Sequence, residues 1–492
     1  MSKFDDFFWG KNLLNDEKTP SVKVLQREPT SDELVLGWVA NTDELTLETV
    51  ELTKGISQSA REAHFYVVGA TRTGKTKFLE SLIEQDIKNG EGFCVIDPHG
   101  DLTEDVKGYL YLMKDKEWLR DNVVVIDPTD EQSIVAFNPL ERTRGEKSAA
   151  VASELTEAFK KIWADAWGQR MEDLLKNTLV ALIENDLTLA ELPTFLTNRD
   201  IRLKILENVK HEGCRQYFYE RFNVQRPQTQ NEWMESTLNK VNGFLFDDRV
   251  KQMFLSQKSS FDLRDIMDNH KILLVKLDSG RLKGTADLLG SLILAKIQAA
   301  AFTRTDTPES KRQPFYLYID EFQNFATDSF IKMLSESAKY KLSVVLAHQN
   351  LAQLPSALRA SILSNCGIQA YFRISRDDSN ILAKESLAPI YNNPPGWEGY
   401  IQMLQELLPR QCYIKNKTLG GVVEIRQTLD HPKPHEKAAV EDEDEFMKEV
   451  AACGIGSKYL RDRNELEAEY RARKNALMKN DTSEIYKEKN LS

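Results

Sequence analysis

The chain has 492 residues, of which 41% are hydrophobic, and this is enough for roughly three domains with well-filled cores. The charged fraction of 29%, with 23 Gly and 16 Pro, is typical of a globular protein and excludes the disordered and fibrous classes. The formal net charge of -11 excludes a uniformly basic surface, so any contact with nucleic acid must come from local basic loops.

Cysteine usage and the apolar runs indicate the compartment. None of the five cysteines lies in a C-x-x-C pattern, which is typical of a reducing environment, so we expect a cytoplasmic protein. The N-terminal stretch MSKFDDFFWGKNLLNDEK has charges inside its apolar run and does not resemble a signal peptide. The longest apolar stretch, LLGSLILAKIQAAAF, is interrupted by Lys296 and Gln298 and is predicted to be too short for a membrane span, so no integral membrane segment is expected.

The first part of the chain, residues 1–63, contains alternating segments such as ELVLGWVA and LTLETVELT. A period of two predicts a few short strands, so we expect a small β-rich N-terminal segment. From residue 64 onward, short runs such as HFYVVG, GFCVID and FYLYID are apolar on both faces and are separated by helical stretches. This pattern predicts an α/β core with a mostly parallel sheet that helices cover on both faces.

An interruption of the α/β pattern defines the remaining domains. Residues 141–264 have helical periodicity in stretches such as AAVASELTEAFKKIWADAW, and strand signals vanish. We therefore expect an inserted all-α domain, which leaves residues 64–140 and 265–430 as the two pieces of the core. Residues 431–492 begin near two prolines and contain the acidic run EDEDE, so they are predicted to form a charged helical tail that is solvated or flexible.

The motif with the clearest chemistry lies between the run HFYVVG and a helical stretch. Residues 69–76, GATRTGKT, match the phosphate-loop pattern G-x-x-x-x-G-K-[ST], in which backbone N–H groups and a helix N-terminus surround an anion. The motif predicts that Lys75 reaches the β- and γ-phosphates of ATP and that the Thr76 hydroxyl binds Mg²⁺. A chance glycine loop is the alternative, which the flanking strand and helix disfavour. The predicted nucleotide-binding residues are Gly69, Ala70, Thr71, Arg72, Thr73, Gly74, Lys75, Thr76 and Lys77.

Two further strand ends carry polar residues that suit an NTPase. The run FYLYIDEF places Asp320 and Glu321 at the end of a strand, where we expect Asp320 to hold Mg²⁺ and Glu321 to act as the catalytic base. Taken alone, such a pair is equally typical of a helix cap or of a surface pair. The next strand, LSVVLAHQ, ends in Gln349, whose amide can sense the γ-phosphate or the attacking water, although a plain polar strand end fits the spacing as well.

With these motifs in view, the chain resembles the HerA/FtsK superfamily of hexameric DNA-pumping ATPases, and within it the cytoplasmic part of type IV secretion coupling proteins. The resemblance extends over residues 64–429 and rests on the phosphate loop followed by VIDPHGDL, FNPL, WGQRMEDLLKNTL, YIDEFQNF and LAHQ, in this order. It implies a RecA-like P-loop NTPase fold with an inserted all-α domain, ATP hydrolysis with Mg²⁺, DNA as the substrate and assembly as a homo-hexamer.

The sequence departs from the family pattern in two places. Coupling proteins usually begin with transmembrane helices, and no such stretch is predicted here, so direct attachment to a secretion channel is not expected. In addition, SAKYKL has Ala338 where many relatives have an arginine that reaches into the nucleotide site of the neighbouring subunit. Arg373, Arg170 and Lys339 are the candidate substitutes, and a simple ion pair with a nearby acid is the alternative for either arginine.

These features favour an ATP-driven motor that forms a ring and moves single- or double-stranded DNA through its centre. Arg281 and Lys283 in LDSGRLKGTAD follow a core strand and lie next to glycines that permit close approach to a nucleic-acid backbone, so they are candidate contacts to DNA. A solvated turn is the equally weighted alternative. The alternative from another class is a regulatory or scaffolding NTPase ring that positions a nuclease or a secretion substrate. Candidate protein partners are a relaxase, a secretion channel and a nuclease.

Overall fold

The computed structural model describes residues 23–25, 33–42, 49–130, 133–143, 145–387, 397–417 and 422–478. The N-terminal stretch in which no signal peptide is predicted and the last part of the predicted tail lie outside these ranges. The strands are β1 (Lys23–Leu25), β2 (Glu33–Thr42), β3 (Thr49–Ser57), β4 (Phe65–Val68), β5 (Gly92–Asp97), β6 (Val123–Ile126), β7 (Ser133–Val135), β8 (Ile272–Lys276), β9 (Phe315–Ile319), β10 (Leu342–His348), β11 (Ile368–Tyr371), β12 (Gln411–Asn416), β13 (Val422–Gln427) and β14 (Leu460–Asp462).

The helices in the same ranges are α1 (Gln58–Arg61), α2 (Lys75–Asn89), α3 (Asp101–Met113), α4 (Lys116–Asn122), α5 (Ser148–Ile162), α6 (Gln169–Glu184), α7 (Leu192–Thr197), α8 (Arg199–Glu207), α9 (Glu212–Gln216), α10 (Pro227–Leu245), α11 (Asp248–Met253), α12 (Leu263–Asp268), α13 (Ser279–Leu282), α14 (Gly284–Phe302), α15 (Asp328–Glu336), α16 (Ser356–Asn365), α17 (Arg376–Leu382), α18 (Trp397–Glu406), α19 (Pro434–Lys437), α20 (Glu443–Ala452) and α21 (Arg463–Met478).

Within the described ranges, twelve strands form one sheet in the order β1-β3-β2-β13-β12-β11-β4-β10-β9-β5-β8-β6. All pairs from β11 to β6 are parallel, and β4, β5, β9, β10 and β11 are buried along their whole length. Parallel neighbours need crossover connections, and the helices in these connections cover both faces, which explains why the strands are apolar without alternation. The predicted α/β class with a mostly parallel sheet is therefore confirmed. The carboxyl ends of the parallel strands meet at one edge of the sheet.

The N-terminal strands are longer than the short strands expected there, since β2 has 10 residues and β3 has 9. They pair with each other, and β2 also pairs with β13, so they extend the central sheet and do not form a segment of their own. Gly37 permits this junction, because its φ is 152° and a Cβ placed there would lie 2.3 Å from the carbonyl oxygen of Gln427. The alternating pattern predicts the strands themselves from local sequence. It cannot predict that β2 pairs with β13, because β13 is far away in the chain.

Of the described residues between 145 and 264, none lies in a strand, and helices α5 to α11 follow one another there. These helices do not close around a core of their own. Leu155 and Leu179 belong to the same continuous buried cluster as Leu317 and Leu346 of the central sheet. The insert is therefore a helical layer whose apolar side packs onto one face of the sheet.

One helical stretch in the described ranges, Gly284–Asp306, is long and apolar enough by composition alone to cross a membrane. It is longer than the sequence prediction allowed, because α14 begins upstream of the apolar run and continues into a further turn. However, 83% of its most apolar window is buried inside the protein. Lys296, which interrupts the apolar run, is buried and donates a hydrogen bond to the carbonyl oxygen of Glu141 at 2.8 Å. In this fold, α14 is a core helix between the sheet and the insert.

Residues 431–478, here called the C-terminal segment, differ from the solvated or flexible arm expected from their charge. Strand β14 pairs with β7, and Phe446 and Val450 of α20 are buried. In α21, the Arg473 guanidinium donates to a carboxylate oxygen of Glu191 at 2.7 Å and to the Leu255 carbonyl oxygen at 2.8 Å. The charged side chains therefore bind specific partners, and the segment is held against both the core and the insert.

Candidate nucleotide-binding site

The phosphate loop connects the buried strand β4 to α2 at the edge where the parallel strands end. Gly69 has to be a glycine, because a Cβ placed there would lie 2.5 Å from the Cβ of Phe372. Gly74 precedes the helix with φ of 109°, a left-handed conformation that L-residues with side chains rarely adopt. The Thr73 hydroxyl donates to the carbonyl oxygen of Ala70 at 2.7 Å and fixes the curl of the loop. The first N–H groups of α2 are consequently directed toward the concave side of the loop, where an anion binds.

The Lys75 side chain is hydrogen-bonded to the backbone of the loop itself. Its ammonium donates to the carbonyl oxygens of Gly69 at 2.5 Å and of Ala70 at 3.4 Å. Burial lowers the pKa of Lys75, and the nearby carboxylates of Glu321 and Asp320 act in the opposite direction. A phosphate in the loop would replace the two carbonyl oxygens with a stronger, charged acceptor.

The other polar residues of the loop are not equivalent. Thr76 is exposed at the first turn of α2, where its hydroxyl is accessible. The Lys77 ammonium, by contrast, donates to Glu80 at 2.6 Å and to Asp105 at 3.5 Å. The Lys77 side chain is therefore engaged away from the loop. Arg72 is exposed with φ of 62°.

Two carboxylates face Lys75 at the end of β9, two strands away in the sheet. Asp320 and Glu321 are 9% and 7% exposed, and the N–H of Glu321 donates to Oδ1 of Asp320 at 3.0 Å. Burial, together with the charges of Glu321 and Asp97, raises the pKa of Asp320 to about 7. The Glu321 side chain accepts a hydrogen bond from Gln323 at 2.8 Å, which orients it. A cation at this position would relieve the repulsion between the carboxylates.

Asp97, which sequence reasoning did not select, is the third carboxylate of this group. It ends β5, the neighbour of β9, and its two oxygens accept from the N–H groups of His99 at 2.9 Å and Thr103 at 2.9 Å. Its position at a strand end within VIDPHGDL was the available signal. Among the described residues, no group of three or more His, Cys, Asp or Glu side chains is arranged to hold a metal ion by itself.

Gln349 lies directly against the phosphate loop, since its side-chain oxygen accepts from the Thr71 hydroxyl at 3.0 Å. The preceding residue, His348, is a second position that sequence reasoning missed. Its carbonyl oxygen accepts from the N–H of Gly69 at 3.3 Å, and its Nε2 is 2.5 Å from the Tyr66 hydroxyl. Its ring also packs edge-on against Phe322, with 5.0 Å between the ring centroids. His348 thus contacts the loop, β4 and Phe322, the residue after Glu321. Burial and the charge of Lys75 lower the pKa of His348 to about 3.

The three candidates for the basic residue contributed to a neighbouring nucleotide site lie in different places. Arg373 is exposed, and its carbonyl oxygen accepts from the N–H of Ala70 at 2.8 Å, so it stands beside the phosphate loop of its own chain. Arg170 is exposed on α6 in the insert, with its guanidinium 5.8 Å from the centroid of the Trp233 ring. Lys339 pairs with Glu336 at 3.2 Å and precedes β10, at the opposite edge of the sheet from the loop. Of these three candidates, only Arg373 has a backbone contact with the phosphate loop of its own chain.

Arg281 and Lys283 follow β8 at the same edge as the phosphate loop. The residue just after β8 is hydrogen-bonded to the end of β5, because the N–H of Leu277 donates to the Asp97 carbonyl oxygen at 2.9 Å. Arg281 is exposed and pairs with Asp278 at 3.4 Å, so its charge is partly compensated. Lys283 is exposed in a left-handed conformation with φ of 51°.

The fold and the site together define a P-loop nucleotide-binding protein with a RecA-like core. A family model described as the type IV secretion-system coupling protein DNA-binding domain matches residues 51–387, more than half of the chain, and the chain belongs to this family. The resemblance inferred from the motifs is therefore confirmed.

Solved structures agree with this fold at low sequence identity. The plasmid coupling protein TrwB in complex with the GTP analogue GDPNP is 16% identical, with 77% of this chain and 89% of that chain covered and a TM-score of 0.53. TrwB in complex with ADP and Mg²⁺ is also 16% identical, with 77% and 89% covered and a TM-score of 0.50. VirB4 of Thermoanaerobacter pseudethanolicus is 13% identical, with 82% and 98% covered and a TM-score of 0.56. No curated protein matches the chain.

Proposed function

We propose that the protein is a cytoplasmic ATPase that forms a ring, most simply a homo-hexamer, and uses ATP hydrolysis to move DNA through the central channel. The observation that carries this proposal is the meeting of the phosphate loop, the Asp320–Glu321 pair and Gln349 at one edge of the sheet. Membership of the coupling-protein family supports DNA as the substrate. The complexes of TrwB with GDPNP and with ADP and Mg²⁺ support a nucleoside triphosphate and Mg²⁺ as ligands.

In this proposal, Lys75 leaves the carbonyl oxygens of Gly69 and Ala70 and binds the β- and γ-phosphates. Mg²⁺ usually keeps several waters and takes few protein ligands, which fits the Thr76 hydroxyl and the Asp320 carboxylate as its ligands here. The ion supplies charge neutralisation at the phosphates. Glu321, oriented by Gln323, accepts the proton of the attacking water, and Gln349 positions that water or senses the γ-phosphate.

The subunit arrangement follows from the arginines. Arg373 beside its own loop is proposed to stabilise the charge on the transferring phosphoryl group in cis, whereas Arg170, exposed on the insert, is the proposed residue contributed by the neighbouring subunit. Arg281 and Lys283 are proposed to contact the DNA backbone. A relaxase, a secretion channel or a nuclease remains a candidate protein partner.

The direct test is the rate of ATP hydrolysis with and without DNA. A motor should be stimulated by DNA, whereas a scaffolding NTPase should hydrolyse at a rate that DNA leaves unchanged, and that result would contradict the motor. Lys75→Ala should abolish hydrolysis, because it removes the cation at the phosphates. Lys77→Ala is the matched control, since this ammonium is engaged by Glu80 and Asp105, and it should keep most of the rate.

A further inference from the structure

Arg410 lies against the phosphate loop, although no sequence motif includes it. Its N–H donates to the carbonyl oxygen of Thr73 at 2.8 Å. Its Cα would be 3.2 Å from a Cβ placed on Gly74, so the two backbones are in direct contact. In P-loop proteins, the backbone N–H groups of this loop bind the phosphates. Arg410 is thus a basic residue in direct backbone contact with the phosphate loop.

The backbone of Arg410 is in a left-handed conformation, with φ of 70°. A side chain is disfavoured in this conformation, and glycine adopts it at no steric cost. The turn that leads into β12 accounts for this conformation, since the N–H of Gln411 donates to the Leu408 carbonyl oxygen at 3.0 Å, and it fixes the Arg410 backbone beside the loop.

The present partners of the guanidinium are weak. It pairs with Asp430 at 3.1 Å and donates to the Thr428 carbonyl oxygen at 3.2 Å. The Asp430 side chain is 85% exposed, and the Arg410 side chain is 37% exposed. Surface pairs of this type contribute little and exchange readily for a stronger anion. The phosphates of a nucleotide are such an anion, and guanidinium groups bind them with paired N–H donors.

We propose that Arg410 is a nucleotide-binding residue that leaves Asp430 and binds the phosphates held by the loop of the same chain. The proposal rests on the nucleotide site described above and adds one contact to it. Asp430 then competes with the nucleotide for the guanidinium. Because Asp430 directly precedes the C-terminal segment, the exchange also breaks an ion pair next to the start of that segment.

The test is calorimetric binding of ADP with Mg²⁺ to the full chain and to five variants. ADP lacks the γ-phosphate, so the result does not depend on hydrolysis. Arg410→Ala and Arg410→Gly should both weaken binding about tenfold, which corresponds to the loss of one charge-assisted contact. Arg410→Lys should give an intermediate affinity. Asp430→Asn should bind ADP as tightly as the wild type or more tightly, since it removes the competitor.

Glycine removes the guanidinium and also relieves the backbone strain, which separates the two effects. If Arg410→Gly binds ADP as the wild type does, the guanidinium has no contact with the nucleotide and the proposal is wrong, even if Arg410→Ala is impaired. Weaker binding by Asp430→Asn would likewise overturn it, because the pair would then support the site. Thermal melting checks that each variant is folded. Lys75→Ala tests the site itself: unchanged ADP binding there contradicts the proposed function independently of Arg410.

Discussion

The phosphate loop and the C-terminal segment are held by opposite kinds of contact. The Lys75 ammonium binds the carbonyl oxygen of Gly69, which is 6 residues earlier. The Arg473 guanidinium binds Glu191, which is 282 residues earlier. The Lys75 side chain is thus placed by a neighbour in sequence, although the loop backbone also contacts residues far away in sequence. The Arg473 side chain is placed only by a partner that the completed fold brings near. A sequence motif can therefore encode the first region but not the second.

The same difference separates the consequences of substitution. Side chains in the loop region are proposed to act on the nucleotide, and Lys75 and Thr73 are held by backbone atoms that a substitution leaves in place. Side chains in the C-terminal segment fill buried contacts between the core and the insert. We therefore expect changes at the site to alter rates with little effect on stability, and changes in the segment to alter stability with little effect on chemistry.

After the complete loss of hydrolysis expected for Lys75→Ala, the largest effect on turnover is expected for Glu321→Gln. The substitution keeps the shape of the side chain and removes the base, so the turnover number should fall by about 10²- to 10⁴-fold. ATP binding and the melting temperature should stay close to those of the wild type, because Lys75 and the loop are unchanged. Single-turnover hydrolysis, ATP affinity and thermal melting together test this expectation. Undiminished turnover would remove Glu321 from the catalytic role.

The arginines give an effect of comparable size, since an arginine at the transferring phosphoryl group contributes roughly 10³-fold or more. Arg373→Ala and Arg170→Ala should each lower turnover strongly. Mixed rings with Glu321→Gln subunits distinguish them. Arg170→Ala should regain activity, because the neighbour supplies the missing arginine, whereas Arg373→Ala should not, because Arg373 acts on its own loop. Recovery by Arg373→Ala, or full activity of both variants or of a monomer, would contradict this division.

These residues also show how much of the fold and of the site could be predicted from the sequence. The parallel core follows from runs that are apolar on both faces, and the phosphate loop and the acidic strand end follow from residues that are adjacent in sequence. Asp97 and His348 were missed because their roles depend on which strands are neighbours in the sheet. Arg410 was missed because its contact with Thr73 joins residues that are far apart in sequence.

The C-terminal segment was predicted incorrectly for a related reason. Its high charge is typical of a solvated helix, and charge alone does not show whether a partner exists. Glu191, the partner of Arg473, is buried in the insert and also accepts hydrogen bonds from Thr188. The packing of α21 against the insert could be predicted only if the position of Glu191 in the folded insert were known.

A stability effect of intermediate size is expected in this segment. Arg473→Met should lower the free energy of unfolding by about 3 kcal/mol, because it leaves Glu191, which is 3% exposed, without its cation. Arg471→Met is the matched control on the same helix, since the Arg471 side chain is 75% exposed and its pair with Glu467 contributes at most about 1 kcal/mol. Denaturant unfolding measures both. Equal effects would mean that the segment is not held by this contact.

The smallest effect is expected at the basic loop after β8. If Arg281 and Lys283 neutralise DNA phosphates, the logarithm of the affinity for duplex DNA should fall steeply with the logarithm of the salt concentration, and replacing both residues by alanine should reduce that slope by about 1 to 2. The lower value applies if the pair between Arg281 and Asp278 at 3.4 Å already compensates one charge. Arg471→Ala with Lys458→Ala is the control, because it removes the same charges from exposed positions in the C-terminal segment. If the control reduces the slope as much as the loop variant does, the effect is one of net charge and not of this edge of the sheet. An unchanged slope in the loop variant would remove Arg281 and Lys283 from the DNA contact altogether.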